Sequence, residues 1–385
     1  MRHNRKIIYL AGFLFSLPIA LMSYVNSSFL SSFVGENRMG ITYVFASVVS
    51  ILGLLVAPHI LKKLGGYKFL LLVTALDALS IFCFVFFNVP WIITTAFIAG
   101  FTLNILIAFS LDELLKIFSP KASTGKTRGT YIALVNVAWI FSQILSVWGG
   151  RDGASSLRNV YLLAFCIMTG FFLFSLFAFK NVTDPDYDRL KSFGFVKKFF
   201  SDRNLFRAYT MNFLLQFFYA IMIIYTPIYL YTHIGFSWRE IGIIFAFMLL
   251  PFSFLPSLEG MYADRFGERK MLMLGFFVAG AATLSLFFIK NTEVWVWALA
   301  LFCTRIGAAT IEVMSDSYFF KHIKPENEEW IGVFRSGPPL SYIIAPLVAL
   351  VIFTFVPSFN YIFLVLGAMM LKGIYLASTI KANDI

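Results

Sequence analysis

Long apolar runs separated by short polar gaps extend from one end of the chain to the other. A helix that crosses a bilayer needs about 20 mainly apolar residues, and twelve segments of the sequence meet that requirement. They lie near 7–33, 40–61, 69–88, 90–115, 128–149, 158–180, 206–232, 239–260, 270–289, 292–317, 329–353 and 358–380. This pattern predicts an all-α integral membrane protein with 12 transmembrane helices.

Lysine and arginine are distributed unequally between the gaps. They are concentrated at the N-terminus and in the gaps near 62–68, 121–128, 180–207, 265–270 and 321–324. The alternate gaps carry far fewer of them. Cytoplasmic loops hold the excess of positive charge in membrane proteins, so both termini are predicted to lie on the cytoplasmic side of the plasma membrane.

The composition excludes several other classes of protein. Of the 385 residues, 59% are hydrophobic and 13% are charged, which is more apolar than a soluble core requires. The net charge of +11 lies in the gaps and not on a basic face of a soluble fold, so no nucleic-acid partner is expected. The three cysteines fall inside apolar runs and predict neither a disulfide nor a metal site. No cofactor is predicted.

The longest gap divides the chain into two halves of six spans. We therefore expect an N-terminal bundle over 1–180, a cytoplasmic central loop over 181–205 and a C-terminal bundle over 206–385. Inside the loop, "RLKSFGFVKKFF" (189–200) alternates basic and apolar residues. It forms either a short helix along the inner membrane surface or a plain solvated linker.

The two halves align weakly at an offset of about 200 residues. "PHILKKLGGYK" (58–68) lies over "GMYADRFGERK" (260–270), which matches Gly65 with Gly267. "SLDELLKIF" (110–118) falls near "SDSYFFKHI" (315–323). Matches in the same order predict two pseudo-symmetric six-helix bundles, which is one of the known repeat architectures of membrane proteins.

The segment "GMYADRFGERK" resembles the signature loop of the major facilitator superfamily, whose pattern is roughly G-x-L-A-D-R-x-G-R-K-x. "RGTYIALVN" (128–136) and "WIGVFRSGPPLSYIIAP" (330–346) are similar to the starts of its fifth and eleventh spans. The resemblance implies a transporter fold with its substrate site between the two bundles. The chain departs from the family at Lys62, where the first-half copy should carry an Asp, and its fifth span lacks the Gly- and Pro-rich signature of antiporters.

The resemblance also implies a conformational latch. The Asp of the signature loop, here Asp264, contacts the opposite bundle in the family, and we expect it to pair with Arg128 or with the start of the fifth span. Lys62 would face acids at the start of the eleventh span, which would be a latch with reversed charges. The alternative is that these are ordinary loop charges in weak, exposed pairs. The predicted latch comprises Asp264, Arg265, Gly267, Arg269, Arg128, Lys62, Glu328 and Glu329.

The resemblance implies that spans one, four, seven and ten line the central cavity. Span seven carries four polar residues at spacings of three, four and three, which places them on one helix face. The first half offers amides instead. Such side chains either bind substrate or hold helices together. These candidates are Tyr209, Asn212, Gln216 and Tyr219 in span seven, and Asn26, Asn104, Asn136 and Gln143 in the first half.

Span ten carries three charges on one face, Arg305, Glu312 and Asp316. A charge at the bilayer centre costs about 3 kcal/mol, so it usually faces a cavity or a partner. In one interpretation Arg305 binds an anionic substrate group and Glu312 carries a coupling proton. In the other, Arg305 pairs with Glu312, and Asp316 pairs with Arg335 in a structural network. We favour the first for Arg305 and Glu312, and the second for Asp316.

These observations leave three functions to compare. The first is a monomeric secondary transporter that moves a small organic solute across the bilayer by alternating access, coupled to protons. The second is an exporter or flippase of amphipathic compounds or lipids. The third is a membrane enzyme, for which the sequence offers no nucleophile triad or metal set. Asp77, alone inside span three, is either a hydrogen-bonded structural acid or a proton site.

The reversed-charge latch can be tested by charge substitution. Lys62→Glu should shift the balance of inward- and outward-facing states by up to about fivefold, because an exposed pair contributes at most about 1 kcal/mol. Glu328→Lys or Glu329→Lys should partly restore it. Spin-label distances between the cytoplasmic ends of the bundles would measure both states. Independent, additive effects of the two substitutions would contradict the latch.

Overall fold

In a computed structural model of the chain, the described residues are 2–118, 124–149, 154–180, 194–255, 267–322, 329–356 and 358–380. The regular structure within these ranges is helical, with no strand. The chain forms two compact units. One comprises Met1–Arg189 with Ser237–Gly242, and the other comprises Leu190–Phe236 with Ile243–Ile385.

The first unit contains the helices of the first six predicted spans. Span one is formed by two helices, α1 and α2, which are separated by a turn at residues 24–25. Spans two to six are single helices. In chain order they are α1 (Arg2–Ser23), α2 (Asn26–Val34), α3 (Glu36–Leu64), α4 (Gly66–Phe86), α5 (Pro90–Phe118), α6 (Thr124–Gly149) and α7 (Ala154–Ala178).

The second unit contains the remaining helices, except that the first residues of α10 group with the first unit. A wider π-helical turn, Tyr229–Ile234, extends α9. In chain order they are α8 (Gly194–Ser201), α9 (Arg203–Ile228), α10 (Trp238–Met248), α11 (Glu268–Phe288), α12 (Val294–His322), α13 (Glu329–Phe334), α14 (Gly337–Phe355) and α15 (Tyr361–Ser378). Spans seven to ten are α9 to α12, span eleven is α13 with α14, and span twelve is α15.

The helix α8 occupies the part of the central loop where a short amphipathic helix was one of two expectations. Phe199 is fully buried, whereas Lys197 and Lys198 are exposed. The alternation of basic and apolar residues therefore produces a helix with one packed face, and the solvated-linker alternative does not apply to these residues.

Eleven helical segments of the described chain are long and apolar enough to cross a membrane. They correspond to every predicted span except the fifth. There, the apolar part of α6 with described side chains, Thr130–Ser146, is shorter than the others. The prediction of an all-α integral membrane protein is confirmed, and eleven of the twelve predicted spans meet the length and hydropathy requirement within the described residues.

The glycines matched by the sequence repeat adopt the same backbone conformation. Gly65 has φ 79° and ψ 156°, and Gly267 has φ 78° and ψ 147°. This region of backbone space is essentially restricted to glycine, because it has no Cβ. Each glycine directly precedes a helix, α4 or α11, so the turn that enters the third span recurs at the ninth.

Helix packing repeats between the units as well. In the first unit α4 packs against α5 and α7, and in the second α11 packs against α12 and α15. Likewise α1 packs against α6 and α7, while α9 packs against α14 and α15. Spans one and seven, and spans three and nine, therefore have equivalent neighbours, as the two pseudo-symmetric bundles require.

Close contact between α11 and α12 fixes the helix that carries three predicted site residues. A Cβ added at Gly307 would overlap the backbone of Ala279 and the carbonyl oxygen of Gly275. Helices in a bilayer associate largely through such close packing of small residues, since lipid tails are as apolar as the helix surface. The position of α12 is therefore set by its glycine contacts.

Gly267→Ala should destabilise the protein by about 1–3 kcal/mol, because alanine is strained at this φ. Nothing lies within 4 Å of the position that the new Cβ would take, so the cost is in the backbone alone. Gly170→Ala is the matched control. It also places a Cβ in open space, but inside α7, where the change should be neutral or stabilising by up to about 1 kcal/mol. Reversible unfolding in mixed micelles would measure both, and equal effects would contradict the assignment.

Candidate functional site

The helix α9 presents the polar stripe predicted in span seven. Its N-terminus is fixed by Asp202, whose Oδ1 accepts the backbone N–H of Asn204 at 2.8 Å and that of Leu205 at 3.1 Å. These contacts satisfy donors that a helix start would otherwise leave free. The helix then continues to Ile228 through all four stripe positions. Local sequence therefore determines where the stripe lies.

One end of the stripe faces the segment that leads into α14. The hydroxyl oxygens of Tyr209 and Ser336 are 3.3 Å apart. A Cβ at Gly337 would lie 3.2 Å from Oδ1 of Asn212 and 3.7 Å from Cγ of Gln216. Asn212 is only 2% exposed, and its Nδ2 has no hydrogen-bond partner among the described residues. This amide donor is therefore available to a ligand.

The other end of the stripe meets the charges of α12. The hydroxyl of Tyr219 donates a hydrogen bond to Oε2 of Glu312 at 2.8 Å. Cζ of Arg305 lies 5.3 Å from the ring centroid of Tyr219 and 5.3 Å from that of Phe218. Tyr219 therefore contacts both charged residues, Glu312 through its hydroxyl and Arg305 through its ring.

Arg305 is held by aromatic rings and not by an acid. It is 2% exposed, and its Nε has no hydrogen-bond partner among the residues described. Within the described ranges no carboxylate lies at ion-pair distance from it. A cation near an aromatic face is stabilised by roughly 0.5–2 kcal/mol, which offsets only part of the cost of burying a guanidinium. The arrangement leaves a desolvated, planar donor that can bind an anion.

Asp316 has a different environment from Arg305 and Glu312. Nη2 of Arg335 donates to Oδ2 of Asp316 at 2.9 Å. This is the pair that the structural-network interpretation assigned to Asp316. The charged face of α12 thus separates into two groups, with Glu312 and Arg305 joined through Tyr219, and Asp316 paired with Arg335.

Glu268 belongs to the segment that resembles the signature loop, but it departs from the pattern there, and the sequence predicted no role for it. It is 6% exposed, and its Oε1 accepts the hydroxyl of Ser317 at 2.7 Å and pairs with Nζ of Lys321 at 2.8 Å. These contacts join the first turn of α11 to the last turns of α12. An acid in the first turn also suits the helix dipole, which is a signal that the sequence does contain.

The latch residues divide into those that the structure describes and those that it does not. Lys62 is exposed in the last turn of α3, where a cation complements the helix dipole. Arg269 is half-buried in the first turn of α11, two residues after Gly267. The remaining latch residues lie outside the described residues or have side chains outside them: Asp264, Arg265 and Glu328, and the side chains of Arg128 and Glu329. The latch stays a prediction.

Two of the first-half amides make hydrogen bonds between helices. The hydroxyl of Tyr161 donates to Oδ1 of Asn26 at 2.8 Å, which joins α7 to α2. Nε2 of Gln143 donates to the carbonyl of Ala20 at 3.0 Å, which joins α6 to α1. Both bonds are of the kind that holds membrane helices together.

The other two amides are half-buried, Asn104 on α5 and Asn136 on α6. Oδ1 of Asn104 has no hydrogen-bond partner among the described residues, and the residue lines a small cavity beside Asp77. The structure therefore brings Tyr219 of α9 to Glu312 and Arg305 of α12. In the first half, Asn26 and Asn104 both line the small cavity beside Asp77.

Comparison with known proteins gives one family and several similar structures. A family profile described as "Major Facilitator Superfamily" matches residues 7–327 and 239–381. A crystal structure of the nucleoside transporter NupG is 12% identical, with a TM-score of 0.73, covering 97% of this chain and 98% of that one. A D-xylose–proton symporter is 13% identical, with a TM-score of 0.73, covering 97% of this chain and 96% of that one.

A third similar structure is a bacterial homologue of the human lysosomal transporter Spinster, in an inward-facing and unoccupied conformation. It is 12% identical, with a TM-score of 0.71, covering 98% of this chain and 94% of that one. Identities this low show a shared fold and nothing more. None of the curated proteins compared with the sequence matches it.

Double-mutant cycles should separate the two groups on α12. The half-buried pair, tested with Tyr219→Phe and Glu312→Leu, should show a coupling free energy of about 1–2 kcal/mol, because the two side chains are joined by a direct hydrogen bond. The matched pair, Asp316→Asn with Arg335→Gln, is 28% and 40% exposed and should show less than about 1 kcal/mol. Unfolding in mixed micelles would measure both. A larger coupling for the exposed pair would contradict this geometry.

Proposed function

Since the chain belongs to the major facilitator superfamily of membrane transporters, we propose that it is a secondary active transporter that moves a small organic anion by alternating access, coupled to protons. The main support is the arrangement of Tyr219, Glu312 and Arg305 inside the second unit. Within the described ranges, a buried cation without an acidic partner lies near a carboxylate that accepts a hydrogen bond from the tyrosine between them.

The surroundings of Arg305 favour a substrate with an anionic group. A guanidinium binds a carboxylate or phosphate through two parallel hydrogen bonds, and such bonds are strongest where water is excluded. The rings of Phe218 and Tyr219 provide an apolar wall beside it. Asn212, with a free amide donor, and Gln216 supply hydrogen-bonding groups one to two turns away along α9. A small organic anion with further polar groups suits this set.

Glu312 supplies a mechanism for proton coupling. When it is ionised, its negative charge competes with an anionic substrate for the positive potential of Arg305. Protonation removes that competition, so a proton and an anion should each favour binding of the other, since coupling between sites is reciprocal. Exposure of the site first to one side of the membrane and then to the other would carry both together.

The similar structures support a secondary transporter and not a particular class of substrate. Their titles name a nucleoside transporter and a D-xylose–proton symporter. Both are transporters of small polar molecules, and the second names a proton as the coupled ion. At 12–13% identity, neither substrate can be assigned to this chain.

Aromatic packing around Tyr219 favours a second candidate, an exporter or flippase of amphipathic compounds or lipids. The ring of Tyr219 lies 6.2 Å from that of Phe252 and 5.8 Å from that of Phe218. The chain contains 47 phenylalanines in all. A substrate with a large apolar part would use these rings and depend little on Arg305.

We further propose that the protein acts as a monomer in the plasma membrane with both termini in the cytoplasm. The distribution of lysine and arginine supports this orientation. In the same way, the pairing of Asp264 with Arg128, and of Lys62 with Glu328 or Glu329, remains our proposal for the latch that holds one transport state.

Transport in proteoliposomes would test the function directly. A thermal-shift screen of organic anions, sugars, nucleosides and amphipaths would select ligands that stabilise the purified protein. Uptake of the selected compounds, in labelled form, would then be measured with and without a pH gradient. We expect gradient-driven uptake of an organic anion. Glu312→Gln should abolish the response to the gradient, and Arg305→Lys should weaken substrate binding by roughly tenfold, because lysine cannot form the two-bond contact.

Glu293→Gln is the matched control, since Glu293 is an exposed acid just before α12. It should leave uptake and its pH dependence unchanged. Uptake that keeps its full pH dependence in Glu312→Gln would refute proton coupling at that residue. Uptake of amphipaths that is insensitive to Arg305→Lys would favour the exporter or flippase.

A further inference from the structure

The first unit contains a buried acid that the proposed transport site does not use. Asp77, in the middle of α4, is 0% exposed. The hydroxyl of Ser80 lies 3.3 Å from its Oδ1 but is closer, at 2.8 Å, to the backbone carbonyl oxygen of Asp77. Oδ2 has no hydrogen-bond partner in the part of the chain that the structure describes. An ionised carboxylate in this environment needs a compensating positive charge.

That charge does not come from a neighbouring side chain. Across the ranges that the structure describes, no lysine, arginine or histidine pairs with Asp77. A cavity of about 30 Å³ lies beside the carboxyl group, and Asp77 is the only titratable residue among those described on its wall. The remaining wall consists of Asn26, Ser80, Gly100 and Asn104 together with apolar side chains.

Apart from the amide nitrogens of Asn26 and Asn104, the polar side-chain atoms of the lining residues are oxygens. Oδ2 of Asp77 and Oδ1 of Asn104 are both buried and without partners. Oδ1 of Asn26 is held in place by the hydroxyl of Tyr161 and has a second lone pair left. Several oxygens without a matching donor repel one another unless a cation lies between them.

Gly100 keeps the space beside the carboxyl group open. A Cβ at this position would lie 2.7 Å from Oγ of Ser80 and 3.4 Å from Oδ1 of Asp77. Any larger residue would therefore fill the cavity next to these two oxygens.

We propose that Asp77, Ser80, Asn104 and Asn26 form a binding site for a sodium ion. Hard cations prefer oxygen ligands, and one carboxylate balances one positive charge. Protein sites for calcium usually draw on several carboxylates, whereas this wall has one. A water molecule needs about 10–15 Å³ of such a cavity, so its volume of about 30 Å³ accommodates a small ion with a water.

The ion would connect three helices of the first unit. Asn26 belongs to α2, Asp77 and Ser80 to α4, and Asn104 to α5. A sodium ion contacts several oxygens at once, whereas a proton on Asp77 forms a single hydrogen bond. Binding should therefore stabilise the unit, and it involves none of the residues of the proposed anion site.

Sodium binding to the purified full-length protein tests this site without any transport measurement. Radioactive ²²Na⁺ should bind saturably in a scintillation proximity assay, and sodium chloride should raise the unfolding temperature more than choline chloride at equal concentration. Asp77→Asn should weaken sodium binding by at least about tenfold, by analogy with the loss of a metal's supporting ligands. Glu36→Gln is the control, because it neutralises an exposed acid at the start of α3 in the same unit.

Ser80→Ala and Asn104→Ala keep the test decisive if Asp77→Asn does not fold, since each should weaken sodium binding several-fold. Unchanged sodium affinity in the folded variants would overturn the site. So would the absence of saturable sodium binding to the wild-type protein at neutral and alkaline pH. A stability that responds to pH through Asp77 but not to sodium would identify a protonated acid and would also overturn it.

Discussion

The cost of placing polar groups in hydrocarbon is the constraint on which the rest of this structure depends. Backbone groups must be satisfied within each segment, which leaves helices as the available element for a chain of this pattern. The same cost applies to side chains, so each ionisable residue inside a span needs a partner, a cavity or a neutral state. In this protein the most informative residues are therefore the buried Arg305, Asp77 and Glu268 and the half-buried Glu312.

Their partners depend on where they lie along a helix. On α12, Asp316 and Lys321 lie in the last two turns, and both are in ion pairs, with Arg335 and Glu268. Arg305 lies about 16 Å from the start of a helix about 42 Å long, at 1.5 Å per residue, and its neighbours are aromatic rings. Ion pairs thus form where water can reach the helix end, while the charge near the centre is left without one. A structural role accounts for the pairs near the end, and a ligand accounts better for Arg305.

Periodicity and charge distribution predict most of the fold, because burial in a bilayer acts on long stretches of sequence. The matched glycines, Gly65 and Gly267, also predict a repeated turn, since their backbone conformation is open to no other residue. The contact of Tyr219 with Glu312 could not be predicted, because helical spacing gives the face of a residue but not the helix opposite. For the same reason the sequence did not predict the contacts by which Glu268 joins α11 to α12.

The repeat extends to the backbone but not to the chemistry of the two units, and the physical basis of the repeat explains why. Glycine turns and close helix packing require small residues at a few positions. These positions recur in both units. Positions that face a cavity are not restricted in this way. In the first unit, amides such as Gln143 bond to neighbouring helices, and Asp77 lies alone beside oxygen atoms. In the second unit, a cation and an acid lie beside one tyrosine. The two proposed sites therefore give units of the same architecture ligands of opposite charge, with an anion at Arg305 and a cation at Asp77.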